Sequence, residues 1–189
     1  MSEKIIYYFG FGTNKDRDMM EHMVGRRGLI GEPGQLPGYE VCIQRTDQFR
    51  TEIPKNSPLP VAPKDLILKS WGPNFEMFVS RPNPEAVAYG TIWQLTPEEL
   101  EYVREWEIVD YGAQEDAFGT AINEKGEKFK VITQSFMKPP AEIDRVVHGP
   151  DYDPYIWDKQ AMLDRADEIR EQYSGLKKKG LIKPTKIKF

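Results

Sequence analysis

A run of aromatic residues breaks into a glycine turn in the segment Tyr7-Tyr8-Phe9-Gly10-Phe11-Gly12-Thr13-Asn14. The apolar run over residues 5–11 predicts a buried β-strand. Gly10, Gly12 and Asn14 then predict a tight turn, because these residue types tolerate backbone conformations that others avoid. Such a turn can leave several amide N–H groups unpaired, and these can hold a carboxylate or an oxyanion. The alternative is a first strand followed by a glycine turn that binds nothing.

The length and composition of the chain are those of one folded domain. The 189 residues are 39% hydrophobic, and a net charge of −4 argues against a general nucleic-acid binder. The single cysteine, Cys42, has no partner for an intrachain disulfide. The first residues do not follow a secretory signal pattern, and no apolar run reaches the length of a membrane span. We therefore expect a cytoplasmic protein with no nucleic-acid or membrane partner, while its oligomeric state stays open.

The remaining patterns predict strands and helices in alternation. Apolar spacing and capping signals predict helices over residues 16–24, from the Thr96-Pro97-Glu98-Glu99 capping box to near residue 112, and over residues 155–173. Strands are predicted over residues 39–43, 86–95, 117–122 and 129–137, the last two as a hairpin around Asn123-Glu124-Lys125-Gly126. Residues 31–38 are rich in turn formers, residues 46–63 predict a long surface loop that could cover a pocket, and the short runs 66–68 and 75–79 fit either strands or a helical turn.

These elements favour an α+β fold, namely a small mixed, mainly antiparallel β-barrel with flanking helices. The domain is expected to span residues 1–174, followed by a lysine-rich C-terminal tail over residues 175–189. That tail either binds an anionic partner or surface or, as such runs more often do, stays solvated.

Acidic side chains are the main candidates for chemistry. His22 and His148 are far apart in sequence and Cys42 stands alone, so no metal site is predicted. No serine lies in a Gly-x-Ser-x-Gly motif, and the glycine turn lacks the spacing of a phosphate or dinucleotide loop. We therefore expect no cofactor.

Glu107 is the candidate for acid–base catalysis. It follows Trp106 at the end of a predicted helix, where the helix dipole disfavours an anion, and it precedes Ile108 and Val109. A carboxylate packed among these apolar groups has a raised pKa, which suits a general base or acid. The alternative is an ordinary glutamate on the surface of a helix end.

Five motifs follow one another along residues 4–149, and together they carry a family resemblance. They are Phe11-Gly12-Thr13-Asn14, Leu36-Pro37-Gly38-Tyr39, the strand Ala88-Tyr89-Gly90-Thr91-Ile92-Trp93-Gln94-Leu95, the helix over residues 100–107 that ends in Glu107, and the hairpin over residues 117–137. Their order and spacing resemble those of the γ-glutamylcyclotransferase-like (AIG2-like) family.

The resemblance implies a small mixed β-barrel and an intramolecular aminolysis without a cofactor. The free α-amine of a small-molecule γ-glutamyl substrate attacks its own side-chain amide, giving 5-oxoproline and a released amine or amino acid. Glu107 would be the general acid/base. Substrate binding would fall to Tyr8, Phe9, Gly10, Phe11, Gly12, Thr13, Asn14 and Phe136.

The chain departs from the family pattern at several positions. Phe11 and Thr13 replace a tyrosine and a serine of the turn, and Phe136 stands where the last barrel strand commonly offers a tyrosine hydroxyl. The segment Pro139-Pro140-Ala141-Glu142 also lacks a tyrosine. Fewer hydroxyl groups would then pair with a glutamyl headgroup. Two alternatives stay open: a non-catalytic protein of the same fold that binds a small ligand or a protein partner, and a different fold in which the motif order is coincidental.

Overall fold

A mixed β-barrel forms the centre of the computed structural model, which describes residues 4–55, 57–136, 143 and 145–182. The strands in these residues are β1 (Ile6–Gly10), β2 (Gly31–Arg45), β3 (Glu76–Leu95), β4 (Glu115–Asn123), β5 (Lys128–Ser135) and β6 (Val146–Val147). The helices are α1 (Arg17–Val24), α2 (Pro63–Trp71), α3 (Pro97–Trp106) and α4 (Lys159–Lys178). Short 3-10 turns span Gly12–Lys15 and Thr46–Gln48.

The barrel closes through the order β3-β1-β5-β4-β2, because β2 pairs with β3 at the other end of the sheet. Among the strands of the described residues, only the contact between β1 and β5 is parallel, while the pairs β1–β3, β2–β3, β2–β4 and β4–β5 are antiparallel. The short strand β6 adds to β2 outside this ring. The predicted α+β class and the mainly antiparallel barrel are therefore confirmed.

The side chains of β1 alternate between two apolar clusters, one inside the barrel and one under the helices. Phe9 packs inside the barrel with Leu36, Ile92 and Val131. Tyr8 faces the other way, toward the helices, where the buried side chains of Met19, Met20, Leu100, Val103 and Leu163 lie. Successive side chains of a strand point to opposite faces, so one strand separates the barrel core from the helix layer.

The prediction of a turn over residues 31–38 is wrong, because this segment is the first half of the long strand β2. It pairs with β3 from Gly31 opposite Trp93 to Arg45 opposite Glu76. A Cβ atom at Gly31 would lie 2.2 Å from the Trp93 ring, so the glycine makes room for the indole. The register shifts between Pro37 and Tyr39, where Gly38 has a φ of 84° and forms a bulge. Tertiary pairing thus outweighs turn propensity here.

The short runs in the middle of the chain belong to longer elements. Residues 66–68 lie in α2, and residues 75–79 lead into β3, which continues without interruption through the predicted strand 86–95. Phe49, in the predicted surface loop, is buried against Ile67 of α2 and Phe75. The loop therefore has a structural anchor near its start.

Helix α4 begins later and ends later than the sequence predicts. The Asp158 side chain accepts the N–H of Ala161 at 2.8 Å, which fixes the start of the helix at Lys159. The helix continues to Lys178, and Lys177 Nζ lies 2.7 Å from Glu101 Oε2 on α3. The first residues of the predicted tail are thus part of a packed helix. Residues 183–189 and 139–142 lie outside the described residues.

Helix α3 starts at the predicted capping box and positions Glu107. The Thr96 hydroxyl accepts the Glu99 N–H at 3.2 Å, and Glu99 Oε2 accepts the Thr96 N–H at 2.8 Å. The helix ends at Trp106, and Ile108 then adopts a φ of 55°, which costs a β-branched residue about 1–2 kcal/mol. This reversal turns the chain back toward β4.

Searched over the part of the chain that the structure describes, no helix is both long and apolar enough to cross a membrane.

Candidate active site

Asn14 joins the glycine turn to Glu107. Its side-chain Nδ2 donates one hydrogen bond to Glu107 Oε1 at 2.7 Å and another to the Tyr8 hydroxyl at 2.7 Å. The main-chain oxygen of Asn14 accepts the Trp93 Nε1–H at 2.8 Å, so the residue is held from both sides. The structure thus brings together three of the residues that the sequence selects, although 93 positions separate Asn14 from Glu107.

Gln114 holds the second oxygen of the same carboxylate. Its Nε2 donates to Glu107 Oε2, and the side chain is fully buried. The other end of this amide, Oε1, is buried and makes no hydrogen bond within the described residues. The sequence does not indicate Gln114 as a site residue, because a glutamine after the turn at Gly112 carries no local signal of a role.

The pKa of Glu107 is raised to about 7, mainly because burial removes water from the carboxylate. The hydrogen bonds from Asn14 and Gln114 act in the opposite direction and stabilise the charged form. The side chain is only 6% exposed. Burial, and then the nearby charge of Glu107, also raise the pKa of Tyr8 well above its usual value, so its hydroxyl keeps its proton. Glu107 therefore exchanges a proton near neutral pH, in the direction that the sequence predicts.

A raised pKa alone does not distinguish Glu107 from its neighbours. Burial also raises the pKa of Glu105 to about 7, with the Tyr111 hydroxyl donating to its carboxylate at 3.0 Å. The Glu105 carboxylate accepts a hydrogen bond from Tyr111, whereas the Glu107 carboxylate accepts one from Asn14 of the glycine turn. The network around Asn14, rather than the pKa, is what makes Glu107 the candidate catalytic residue.

An open pocket lies beside Glu107. Most of the lining is aromatic or aliphatic, and two of the predicted binding residues, Phe11 and Thr13, form part of it. The described lining residues are Phe11, Thr13, Trp71, Phe75, Glu76, Met77, Phe78, Trp106, Glu107, Ile108, Ile156, Trp157 and Met162. An apolar cleft with a few polar groups is the usual form of a small-molecule site.

Six of the predicted binding residues do not belong to this described lining, namely Tyr8, Phe9, Gly10, Gly12, Asn14 and Phe136. Phe9 points into the barrel core. A Cβ atom at Gly10 would lie 2.3 Å from the Asn14 carbonyl oxygen, so this glycine permits the close approach of the turn. Phe136 is buried in a separate cluster with Cys42 and Val79, because it lies beyond the end of β5 and its N–H is bound to the Ser80 carbonyl.

The expectation that the turn leaves its amides unpaired is wrong for two of them. The Asn14 N–H donates to the Phe11 carbonyl at 3.0 Å, because the segment forms a 3-10 turn. The Gly12 N–H donates to the Tyr152 hydroxyl at 2.9 Å, and that hydroxyl in turn donates to the Tyr89 carbonyl at 3.2 Å. Tyr152 is a second site residue that the sequence pattern does not indicate.

The tyrosine comes from the segment that precedes α4. Lys15 holds this segment with its ammonium group, which donates to the carbonyl oxygens of Pro150 at 3.0 Å and Tyr152 at 2.8 Å. The same ammonium lies 3.8 Å from the centre of the Tyr152 ring. The run Asp151-Tyr152-Asp153-Pro154-Tyr155 is a visible tyrosine-rich signal, but sequence alone does not tell which surface it covers.

No group of three or more histidine, cysteine, aspartate or glutamate side chains is arranged to hold a metal ion in the residues that the structure describes.

Sequence comparisons find no family model that matches this chain, and no curated protein is significantly similar to it. Solved structures do match. An uncharacterized protein from Homo sapiens superposes with a TM-score of 0.54 at 11% identity, covering 99% of this chain and 93% of that one. A γ-glutamyl cyclotransferase matches with a TM-score of 0.54 at 10% identity, covering 98% and 92%. The chain has the γ-glutamylcyclotransferase-like fold.

A third match is the solution structure of a protein from Arabidopsis thaliana, with a TM-score of 0.50 at 18% identity. The superposition covers 98% of this chain and 98% of that one. The matches extend over nearly the whole chain, so the barrel and its helices are shared rather than a single motif. The fold that the motif order predicts is therefore confirmed. Identities of 10–18% establish the fold alone, and any activity has to be argued from the site.

Proposed function

We propose that the protein cyclises a γ-glutamyl amide to 5-oxoproline and releases an amine or amino acid, with Glu107 as the general acid/base. The observation that carries the proposal is the position of Glu107, which lines an apolar pocket and is bonded through Asn14 to the glycine turn. The fold shared with a solved γ-glutamyl cyclotransferase supports the same proposal.

The reaction needs only one titrating group from the protein. The Glu107 carboxylate accepts a proton from the substrate's α-ammonium, and the freed amine attacks the γ-carbonyl carbon to close the five-membered ring. The protonated Glu107 then donates to the nitrogen of the leaving group as its C–N bond breaks, which restores the carboxylate. The same carboxylate takes the second proton from the ring nitrogen and passes it to the released amine, which leaves as an ammonium ion. A pKa near 7 suits both transfers. Because the nucleophile belongs to the substrate, holding amine and carbonyl together supplies much of the rate.

The glycine turn offers fewer free N–H groups to the oxyanion of the tetrahedral intermediate than the sequence predicts. The Gly12 N–H is held by the Tyr152 hydroxyl, so it can bind a substrate oxygen only when that hydroxyl moves aside. The Tyr8 hydroxyl keeps its proton and lies next to the Asn14 amide that holds Glu107. We therefore assign the turn chiefly to positioning Glu107.

A non-catalytic binding protein is the second candidate function. The observation that favours it is the same hydrogen bond from the Gly12 N–H to the Tyr152 hydroxyl, which leaves the turn with one donor fewer for a substrate. Such a protein would bind a small ligand in the pocket without converting it.

The test is a 5-oxoproline release assay with γ-glutamyl amino acids, γ-glutamyl amines and glutathione, run between pH 5 and pH 9. We expect release from at least one class, with kcat/KM falling on the acidic side of about pH 7 as Glu107 becomes protonated. Protein that is folded by circular dichroism but releases no 5-oxoproline from any member of the panel would contradict the proposal in favour of the binding function.

A further inference from the structure

Four aromatic side chains form one wall of the pocket beside Glu107. Trp71 stacks on Phe75 with 4.7 Å between ring centres, and Phe75 stacks on Trp157 at 5.9 Å. Trp106 meets Trp71 edge-on at 5.7 Å. We call Trp71, Phe75, Trp106 and Trp157 the aromatic wall. Stacked rings restrain one another, so the wall is a preformed apolar surface rather than a set of loose side chains.

Trp157 forms the outer end of this wall. Its indole Nε1 donates to the Glu76 carbonyl at 3.1 Å, and the side chain is 38% exposed at the rim of the pocket. The ring is thus fixed in orientation while part of its surface stays open to a ligand. Aromatic side chains are common in the lining of pockets that bind small apolar ligands.

The charges around the wall are unfavourable for a carboxylate. Glu107 and Glu76 are the acidic groups of the lining, and Glu76 is ion-paired with Arg145. The cation that lies over the face of Trp71 is Arg165, at 5.5 Å, and Glu168 binds it at 2.7 Å. A leaving group with a free carboxylate would lose water against the rings and face the Glu107 charge, which costs free energy.

We propose that the leaving group of the substrate is an apolar amine, an arylalkyl or branched aliphatic one, whose side chain packs on the aromatic wall. The inference rests on the cyclotransferase function proposed above and names its substrate class. The amine and carbonyl that react must lie at Glu107, since it exchanges the proton. The rest of the leaving group then meets the wall, where removal of its apolar surface from water stabilises the complex.

Two substrates that differ by a single carboxylate test this substrate class. They are the γ-glutamyl amide of 2-phenylethylamine and γ-glutamylphenylalanine, which share the ring and the ethyl spacer. We expect the amide to give 5-oxoproline with a kcat/KM at least tenfold above that of γ-glutamylphenylalanine. The corresponding free compounds, 2-phenylethylamine and phenylalanine, test binding without turnover.

Tryptophan fluorescence reports that binding directly. Three of the four tryptophans, Trp71, Trp106 and Trp157, line the pocket, while Trp93 is buried and does not belong to the described lining. We expect 2-phenylethylamine to change the emission saturably, and phenylalanine to require at least a tenfold higher concentration. Ethylamine, which has the ammonium group without the ring, serves as the control for charge alone.

Removal of the outer ring tests the wall itself. Trp157→Ala is expected to lower kcat/KM for the phenylethylamide about tenfold and to weaken 2-phenylethylamine binding by a similar factor. Phe118→Ala is the matched control, because Phe118 is an aromatic residue of β4 that is 53% exposed and lies outside the described lining of this pocket. Phe118→Ala should leave both the kcat/KM for the phenylethylamide and the affinity for 2-phenylethylamine unchanged.

The results of these assays distinguish the apolar leaving group from the cyclotransferase function on which it rests. A kcat/KM for γ-glutamylphenylalanine that equals or exceeds that of the amide would overturn the inference and leave the cyclotransferase function intact. An equal affinity of the free amine and phenylalanine would overturn it as well. Saturable, Trp157-dependent binding of 2-phenylethylamine with no 5-oxoproline from either compound would support the apolar amine as the ligand class and contradict the cyclotransferase function.

Discussion

Glu107 is held by two side-chain amides, and each of them stabilises its charged form against the larger effect of burial. Gln114→Leu removes the donor to Oε2 at nearly constant volume. We expect the pKa of Glu107 to rise above its value of about 7, by roughly one unit, since a hydrogen bond to a charged group contributes about 1.5–3 kcal/mol. A carbon-13 NMR titration of the glutamate carboxyl groups measures this shift without any assumption about activity.

Gln44→Leu is the matched control for that titration. Gln44 is also buried, but its Nε2 donates to the Gln48 carbonyl at 3.2 Å and not to Glu107. It should leave the pKa of Glu107 in place. If Gln114→Leu also leaves it in place, Gln114 does not position the carboxylate.

The raised pKa of Glu107 also has a consequence for stability. Its pKa is about 7 in the folded protein and near 4.5 in the unfolded chain, so the folded state binds more protons between these values. The stability that this proton contributes is fully present below pH 4.5 and is lost as pH rises through 7. Relative to Glu107→Gln, the free energy of unfolding of the wild type should fall by about 3 kcal/mol over this window. Urea unfolding of both proteins from pH 4.5 to pH 8 measures the difference, and parallel curves would contradict the raised pKa.

The sequence predicts some residues of the site and misses others for a physical reason. Glu107 and Asn14 carry local signals, a charge at an apolar helix end and an asparagine in a glycine turn. Gln114 and Tyr152 acquire their roles only when the chain reversal at Ile108 and the segment before α4 bring them to the turn. Contacts between distant segments leave no trace in local spacing.

Helix α3 is the element that delivers Glu107 to the pocket, and its capping box fixes where it starts. Thr96→Ala removes the hydroxyl that accepts the Glu99 N–H, which should lower the free energy of unfolding by about 1 kcal/mol. Thr96→Ser keeps the hydroxyl and should retain most of the stability. Urea denaturation at pH 7 compares the three proteins, and a Thr96→Ala midpoint equal to that of the wild type would show that the cap contributes nothing.

The element starts that the sequence predicts well are those with local capping signals, whereas the predicted end of α3 near residue 112 is wrong, because the helix ends at Trp106. Helices α1 and α3 begin at side-chain caps, Asp16 and Thr96, and the hairpin of β4 and β5 turns at Gly126 as predicted. Strand β2 is missed in its first half because Pro33 and Pro37 indicate turns, whereas pairing with β3 determines the conformation. Helix α4 starts later than predicted because Asp158 caps it, whereas the apolar residues 155–157 before the cap resemble the start of an apolar helix face.

The barrel as a whole depends on a close approach of β1 and β3. A Cβ atom at Gly90 would lie 2.2 Å from the Gly10 carbonyl oxygen, so Gly90→Ala must push the two strands apart. We expect a loss of about 1–3 kcal/mol in the free energy of unfolding. Gly175→Ala is the matched control: this glycine lies inside α4 with no atom within 4 Å of its Cβ position, and alanine there should raise stability by about 0.5–1 kcal/mol. Equal effects of the two changes in thermal unfolding would contradict the close approach.

The central claim for the whole molecule is that this barrel carries a γ-glutamyl cyclisation at Glu107. The most direct measurement compares 5-oxoproline release by the wild type, Glu107→Gln and Glu105→Gln on the preferred γ-glutamyl amide at pH 8. Glu105 is a neighbouring half-buried glutamate whose pKa is also raised to about 7, so its replacement controls for loss of an acid with a raised pKa. We predict release by the wild type and Glu105→Gln and a loss of at least a thousandfold in Glu107→Gln. Release that survives Glu107→Gln, or that is absent from the folded wild type, would contradict the claim.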